Sequence, residues 1–262
     1  MISTVKAVTF IKVLSSGRTR PCLMLCEDHE GNQIETVVKL RVGKESTTTG
    51  LVCELLGSLL ADDLDLIVPT PFLVDIDADF HSCIPDATLA DRFRKSTGLN
   101  FGSRHLGSGY TTWPQERSIP ASLVQVAAEI FAFDLMIQNP DRLTERPNLL
   151  RKGDEIAIFD HEMAFSFLYS IVKDEYSWLG KGMNFSRNHI FYGSLKGRTV
   201  SWERLQGALE AIDDTRLNMY NRGIPDLWRQ PDNDAVARIL EYLRQARNNS
   251  AQLFQRVREV LL

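Results

Sequence analysis

The segment from Phe133 to Phe165, FDLMIQNPDRLTERPNLLRKGDEIAIFDHEMAF, constrains this 262-residue chain more than any other. Residues 121–138 form a long apolar stretch of helical period, and Asn139-Pro140 ends it, because the residue before a proline avoids the helical region. Ile156 to Phe159 reads as a short buried strand. Asp141, Asn148 and Asp160 therefore fall in that order across a helix end, a short loop and a strand. Two carboxylates and an amide at such a turn are what a magnesium-dependent phosphoryl transfer needs. One side chain orients the attacking hydroxyl, and the other two hold the metal on the nucleotide phosphates.

The first hundred residues differ in character. Residues 5–14 read as a strand, followed by the turn Ser15 to Arg20, a second strand at 21–27, the hairpin turn DHEGN, and a third strand at 33–41. A helix is expected from about Thr47 to Asp62, with Leu51, Val52, Leu55, Leu56, Leu59 and Leu60 at helical spacing and Ser46 as its N-cap. Glu54 lies off that apolar stripe, among Thr47, Gly50, Gly57, Ser58 and Ala61. Glycine inside a helix costs about 1 kcal/mol against alanine. Two of them beside one glutamate therefore point to the close approach of another element. A further strand FLVDI, a short helix near Ala87 to Ser96 and a strand at 101–106 follow. After Trp113-Pro114 the character changes, and from Ser201 on the chain is helical, with breaks near Gly223-Ile224-Pro225 and Pro231 and closing helices at 234–247 and 250–261. A strand-rich first part and a helix-rich second part mean an α+β fold in two lobes, divided here at 1–113 and 114–262.

Composition narrows the function. With 44% hydrophobic and 24% charged residues the chain has a real core, and a net charge of -4 carries no nucleic-acid footprint. No apolar run is long enough to span a bilayer, so no membrane insertion is expected. Cys22, Cys26, Cys53 and Cys83 have no metal-type pairing with histidines and read as buried free thiols of a cytoplasmic protein.

Lys39, in VVKL, could simply sit on a solvated strand face. Its weight comes from Glu54, fifteen residues on and set in a helix. A strand lysine paired with a helix glutamate holds the α- and β-phosphates in kinases. Asn139-Pro140-Asp141-Arg142 alone is an ordinary helix C-terminal turn. Joined to Asn148 and to Asp160-His161 it becomes specific, with Asp141 orienting the acceptor hydroxyl and Asn148 and Asp160 coordinating magnesium. Arg142 is read alternatively as structural, clamping a carboxylate in the loop. The turn holding Ser15, Ser16, Gly17 and Thr19 is either a phosphate-covering loop or a solvated hairpin turn. His161 is expected to order the metal loop by hydrogen bonding; the remaining histidines read as structural or surface groups, and the four tryptophans as core or lobe-interface residues.

VVKL with a helix glutamate, FDLMIQNPDR, the following PNLL and IFDHEMAF resemble the HipA-like kinases. These share a fold with the phosphatidylinositol 3- and 4-kinases, whose NxDR…N and IDxGLAF motifs are similar in order and spacing. The resemblance implies a protein-kinase-like fold, ATP and Mg2+ as cofactors, and a Ser/Thr protein acceptor. It implies Lys39 as the nucleotide lysine, Glu54 as its partner, Asp141 as the catalytic aspartate, and Asn148 and Asp160 as metal ligands. Many relatives carry an asparagine five residues after the catalytic aspartate, where this chain has Arg146. HRD, DFG, APE and HGD sets and a Walker A sequence are absent, which argues against other kinase types. The resemblance also raises growth-arresting toxin activity, and the start of the chain reads as that of a stand-alone kinase core. Two alternatives stay open: a kinase of a small molecule or lipid headgroup, and a nucleotide-binding pseudokinase that serves a regulatory protein partner.

Overall fold

The computed structural model describes residues 2–14, 19–43, 47–114, 119–170, 176–179, 183–229 and 234–262. Five strands of the first part close into a barrel: β1 (Thr4–Val13), β2 (Cys22–Glu27), β3 (Gln33–Lys39), β4 (Pro71–Ile76) and β5 (Gly98–Arg104). The order around the barrel is β1-β2-β3-β5-β4, closed by parallel pairing of β1 with β4. Alternation along the strands turns Val5, Ala7, Cys22, Met24, Cys26, Val38 and Val74 inward. The β2–β3 turn is held by Asp28, whose carboxylate accepts from the N–H groups of Glu30 and Asn32 at 2.9 Å each. Gly102 on β5 is required by closure, because a Cβ there would lie 2.4 Å from Val74 Cγ2 and 2.7 Å from Thr36 Cγ2. Helix α2 (Ala87–Lys95) covers one end of the barrel with Leu89 and Phe93.

Burial pushes the Cys22 and Cys26 thiols up to about 11, which keeps them unreactive. Cys53 is buried as expected, but Cys83 is exposed, because it ends a short 3-10 turn with no buried residue.

Helix α1 (Thr48–Asp63) lies between the barrel and the helical part. Its N-cap is Thr47, whose hydroxyl accepts from the Gly50 N–H at 2.9 Å. This corrects the assignment to Ser46, which lies outside the described residues. The far end of α1 is tied to α6 (Asp214–Gly223): Arg216 grips the Asp63 carboxylate with two bonds of 2.5 Å, and the Tyr220 hydroxyl donates to the same group.

Helix α3 (Val124–Met136) runs through the middle of the second part with every residue from Ala127 to Met136 buried. It stops two residues before the expected end at 138. Gln138 adopts φ 50 and donates to Leu135 O, while the Asn139 N–H reaches back to Asp134 O at 2.8 Å. This pair of bonds is a Schellman closure, so the helix is already finished when Pro140 arrives. Strands β6 (Thr111–Thr112), β7 (Leu149–Lys152) and β8 (Glu155–Ile158) form a second small sheet beside α3. β6 and β7 escaped the sequence reading, since a two-residue strand and LLRK carry no alternation to detect. The short helices α4 (Tyr192–Leu195) and α5 (Glu203–Ala211), then α7 (Ala235–Asn248) and α8 (Ser250–Leu261), complete the helical part. All four tryptophans are buried: Trp202 donates to Ala128 O on α3, and Trp228 to Leu99 O on β5. Among the described residues no helix is long and apolar enough to cross a membrane.

Candidate active site

Lys39 ends β3 and points at α1, where its ammonium meets Glu54 Oε2 at 2.8 Å. It also meets Asp160 Oδ1 at 2.6 Å and Glu162 Oε2 at 3.0 Å. The lysine is buried, which alone would lower its pKa, but three carboxylates outweigh that and raise it well above the usual lysine range. Burial also raises Glu54, helped by the nearby charges of Asp160 and Glu162. For Asp160 burial works upward, but the charge and hydrogen bond of Lys39 prevail and lower it. The solvated-face reading of Lys39 is thereby set aside: its side chain is 10% exposed and fully engaged.

Of the two glycines beside Glu54, Gly57 has the reason the sequence pointed to, whereas Gly50 meets only ordinary contact from Glu162. A Cβ at Gly57 would lie 2.7 Å from His161 Cβ, and one at Gly50 3.8 Å from Glu162 Cβ. The segment Asp160-His161-Glu162 thus presses directly on α1. His161 is wholly buried against Phe133, its Nδ1 3.5 Å from Ser58 Oγ and its Nε2 without a partner. Burial first, then the charge of Arg142, lowers its pKa to about 3, so it packs as a neutral ring.

Asp141, Asn148 and Asp160 are held by a buried clamp. Arg142 is 1% exposed and donates from Nη1 to the carbonyls of Asn148 at 2.7 Å and Phe159 at 3.4 Å. Its Nε and Nη2 grip Asp134 on α3. Asp134 also accepts from Asn139 Nδ2 at 2.9 Å and is bonded to His189 Nε2 at 3.0 Å. Burial alone would raise the Asp134 carboxyl, yet the Arg142 charge and the His189 bond hold it far below the usual range. Arg142 is therefore structural in the sense anticipated, except that its carboxylate comes from the helix and not from the loop.

Above this clamp the Phe159 N–H donates to Asn148 O at 3.2 Å, extending the β7–β8 pairing to the two metal candidates. Asn148 Nδ2 reaches Asp141 O at 3.4 Å. Arg146, in the position where many relatives have asparagine, pairs with Asp141 Oδ1 at 2.9 Å. Among the described residues, six non-glycine residues have positive φ, and four of them, Gln138, Asn148, Asp160 and Phe165, lie in this one segment. Left-handed backbone at such residues costs of order 1–3 kcal/mol each and persists where the surroundings impose it.

The structure therefore joins Lys39, Glu54 and Asp160 directly, and joins Asp141 and Asn148 to them through Arg142. Ser15, Ser16 and Gly17 lie outside the described residues. Thr19, two residues on, lines a cleft of about 220 Å3 with Lys39, Thr47, Leu51, Glu162 and Tyr169. Sequence reasoning missed Glu162 and Asp134. Glu162 stands where the quoted motif IDxGLAF has glycine, and Asp134 is a charged residue inside an apolar helix; both were visible as anomalies. Carboxylate oxygens of Glu54, Asp160 and Glu162 lie within 4.8 Å of one another. These hard oxygen donors, shared with the Lys39 ammonium, are of the kind that binds a magnesium ion.

A strand lysine on a helix glutamate, over a turn presenting two aspartates and an amide, defines a kinase-type phosphotransferase. The chain belongs to the HipA-like kinase family, whose sequence model matches residues 7–256. Among solved structures it is similar to the Helicobacter pylori proinflammatory kinase CtkA, at 12% identity and a TM-score of 0.55, covering 100% of this chain and 99% of that one. Weaker similarities reach the open conformation of CtTel1 (12% identity, TM-score 0.42, 96% of this chain and 12% of that one) and the Neurospora crassa PAN3 pseudokinase (10%, 0.35, 95% and 64%). At those scores neither bears on the fold. No curated protein matches the chain.

Proposed function

We propose that this kinase transfers the γ-phosphoryl group of ATP, with magnesium, to a serine or threonine hydroxyl of a protein. The observation that carries this reading is the engagement of one buried ammonium, Lys39, by both Glu54 and Asp160. It ties the nucleotide lysine to the metal aspartate across 121 residues of sequence. Residues 1–113 would bind nucleotide, and 114–262 would present Asp141 to the acceptor. Lys39 neutralises phosphate oxygens, and Glu54 keeps it aimed. Asp160 and Asn148 would hold magnesium, which neutralises phosphate charge when bound. Asp141 accepts a hydrogen bond from the acceptor hydroxyl and orients its oxygen for in-line attack. The new O–P bond forms as the bond from the γ-phosphorus to the ADP oxygen breaks, and the hydroxyl proton passes to Asp141 and then to solvent. The buried thiols of Cys22, Cys26 and Cys53 support a reducing, cytoplasmic setting.

The test is transfer of label from γ-labelled ATP, with magnesium, to the protein itself and to a cell extract. Phosphoserine or phosphothreonine that disappears with Asp141→Ala supports the acceptor class. Label found only on small molecules or lipid would replace it with the alternative acceptors, and nucleotide binding without turnover would make the chain a pseudokinase.

A further inference from the structure

An ammonium has three N–H donors, and on Lys39 all three are spent, on Glu54, Asp160 and Glu162. Three carboxylates surround one cation, so the cluster carries excess negative charge and leaves the lysine no donor for a phosphate oxygen. A nucleotide can reach Lys39 only if one carboxylate gives way. Glu54 is fixed, 3% exposed in the body of α1. Asp160 makes the shortest of the three bonds, 2.6 Å, from a short side chain on a constrained left-handed backbone. Glu162 makes the longest, 3.0 Å, is the most exposed of the three at 25%, and lines the open cleft.

We infer that Glu162 sets the affinity of this site for nucleotide: it occupies the third donor of Lys39 and yields it to phosphate. The inference rests on the kinase reading of the site and deepens it, since the glycine at this position in the IDxGLAF motif of the phosphatidylinositol kinases could offer no such competitor. Glu162 thereby ties nucleotide affinity to divalent cation. A cation compensates the displaced carboxylate, and without one the phosphates meet uncompensated negative charge.

The experiment is calorimetric titration of ADP, once in EDTA and once with excess magnesium. It is run on the wild type, Glu162→Gln, Glu162→Gly and Glu145→Gln. Glu145 is an exposed carboxylate on the Asp141 loop and controls for net charge. Freeing one charged hydrogen bond predicts about tenfold tighter ADP binding in EDTA for Glu162→Gly, and a smaller gain for Glu162→Gln, whose amide oxygen still accepts from Lys39 but carries no charge. The gain on adding magnesium shrinks by a similar factor, and Glu145→Gln behaves as wild type. Unchanged or weaker binding in EDTA overturns the inference, as does an equal change in Glu145→Gln. A loss confined to the magnesium titration would make Glu162 a metal ligand only, and also overturns it. A wild type that binds no ADP even with magnesium removes the kinase reading and this inference with it. Far-ultraviolet dichroism of each variant establishes that it is folded.

Discussion

Asp134→Asn removes the negative end of the buried clamp while keeping the shape of the side chain. Asp134 and the Arg142 side chain are both fully buried, so the substitution leaves a guanidinium uncompensated in the interior. Breaking a buried pair in this way costs about 3–5 kcal/mol, against a total stability of about 5–15 kcal/mol for a native protein. With a urea m-value of about 3 kcal/mol/M, the unfolding midpoint should fall by about 1–1.7 M. The pH dependence checks the cause. The folded Asp134 carboxyl lies below its unfolded value, so its contribution is present above the usual aspartate range and is lost as pH falls toward the folded value. The wild type should therefore lose stability on acidification more steeply than Asp134→Asn. The double variant Asp134→Leu/Arg142→Met, which replaces the pair by apolar side chains, should recover much of the midpoint. It should not recover turnover, because the carbonyls of Asn148 and Phe159 have lost their donor. A midpoint shift worth less than about 0.5 kcal/mol in Asp134→Asn, the range of ordinary surface substitutions, would refute the clamp as a stabilising unit.

Three further outcomes are expected. Lys39→Ala should weaken ATP binding about tenfold or more in a calorimetric titration, the value of a charged hydrogen bond; unchanged affinity would return Lys39 to a structural role. Gly57→Ala should destabilise by about 1–3 kcal/mol through overpacking against His161, read as a lowered melting temperature, and a neutral result would mean that the Asp160 segment is free to retreat from α1. Asn148→Ala should abolish the magnesium dependence of turnover and Arg146→Ala should preserve it, measured as initial rate against magnesium concentration; the reverse would move the amide's role elsewhere.

Most of the architecture was legible because its signals are local. Alternation gave β1, β2 and β3, and helical spacing gave α1, α7 and α8 to within a residue or two. The parallel closure of β1 on β4 was not legible, because it joins strands about seventy residues apart and depends on Gly102 admitting Val74. In the site, order and spacing pointed to Asp141, Asn148 and Asp160, and of the two helix glycines Gly57 announced the neighbour that turned out to be His161. Asp134 and His189 could not be paired from sequence, since only the folded helical part brings residues 55 positions apart to 3.0 Å. The N-cap moved from Ser46 to Thr47 because either hydroxyl satisfies the sequence rule and only the backbone decides.

The central claim is that Asp141 acts on an acceptor beside a nucleotide held at Lys39, and ADP release from ATP with magnesium tests it most directly. The wild type should turn over, and Asp141→Ala, with an unchanged melting profile, should be slower by about 10²–10⁴-fold, the usual contribution of a positioned base. An Asp141→Ala protein that releases ADP at the wild-type rate would contradict the assignment of the site.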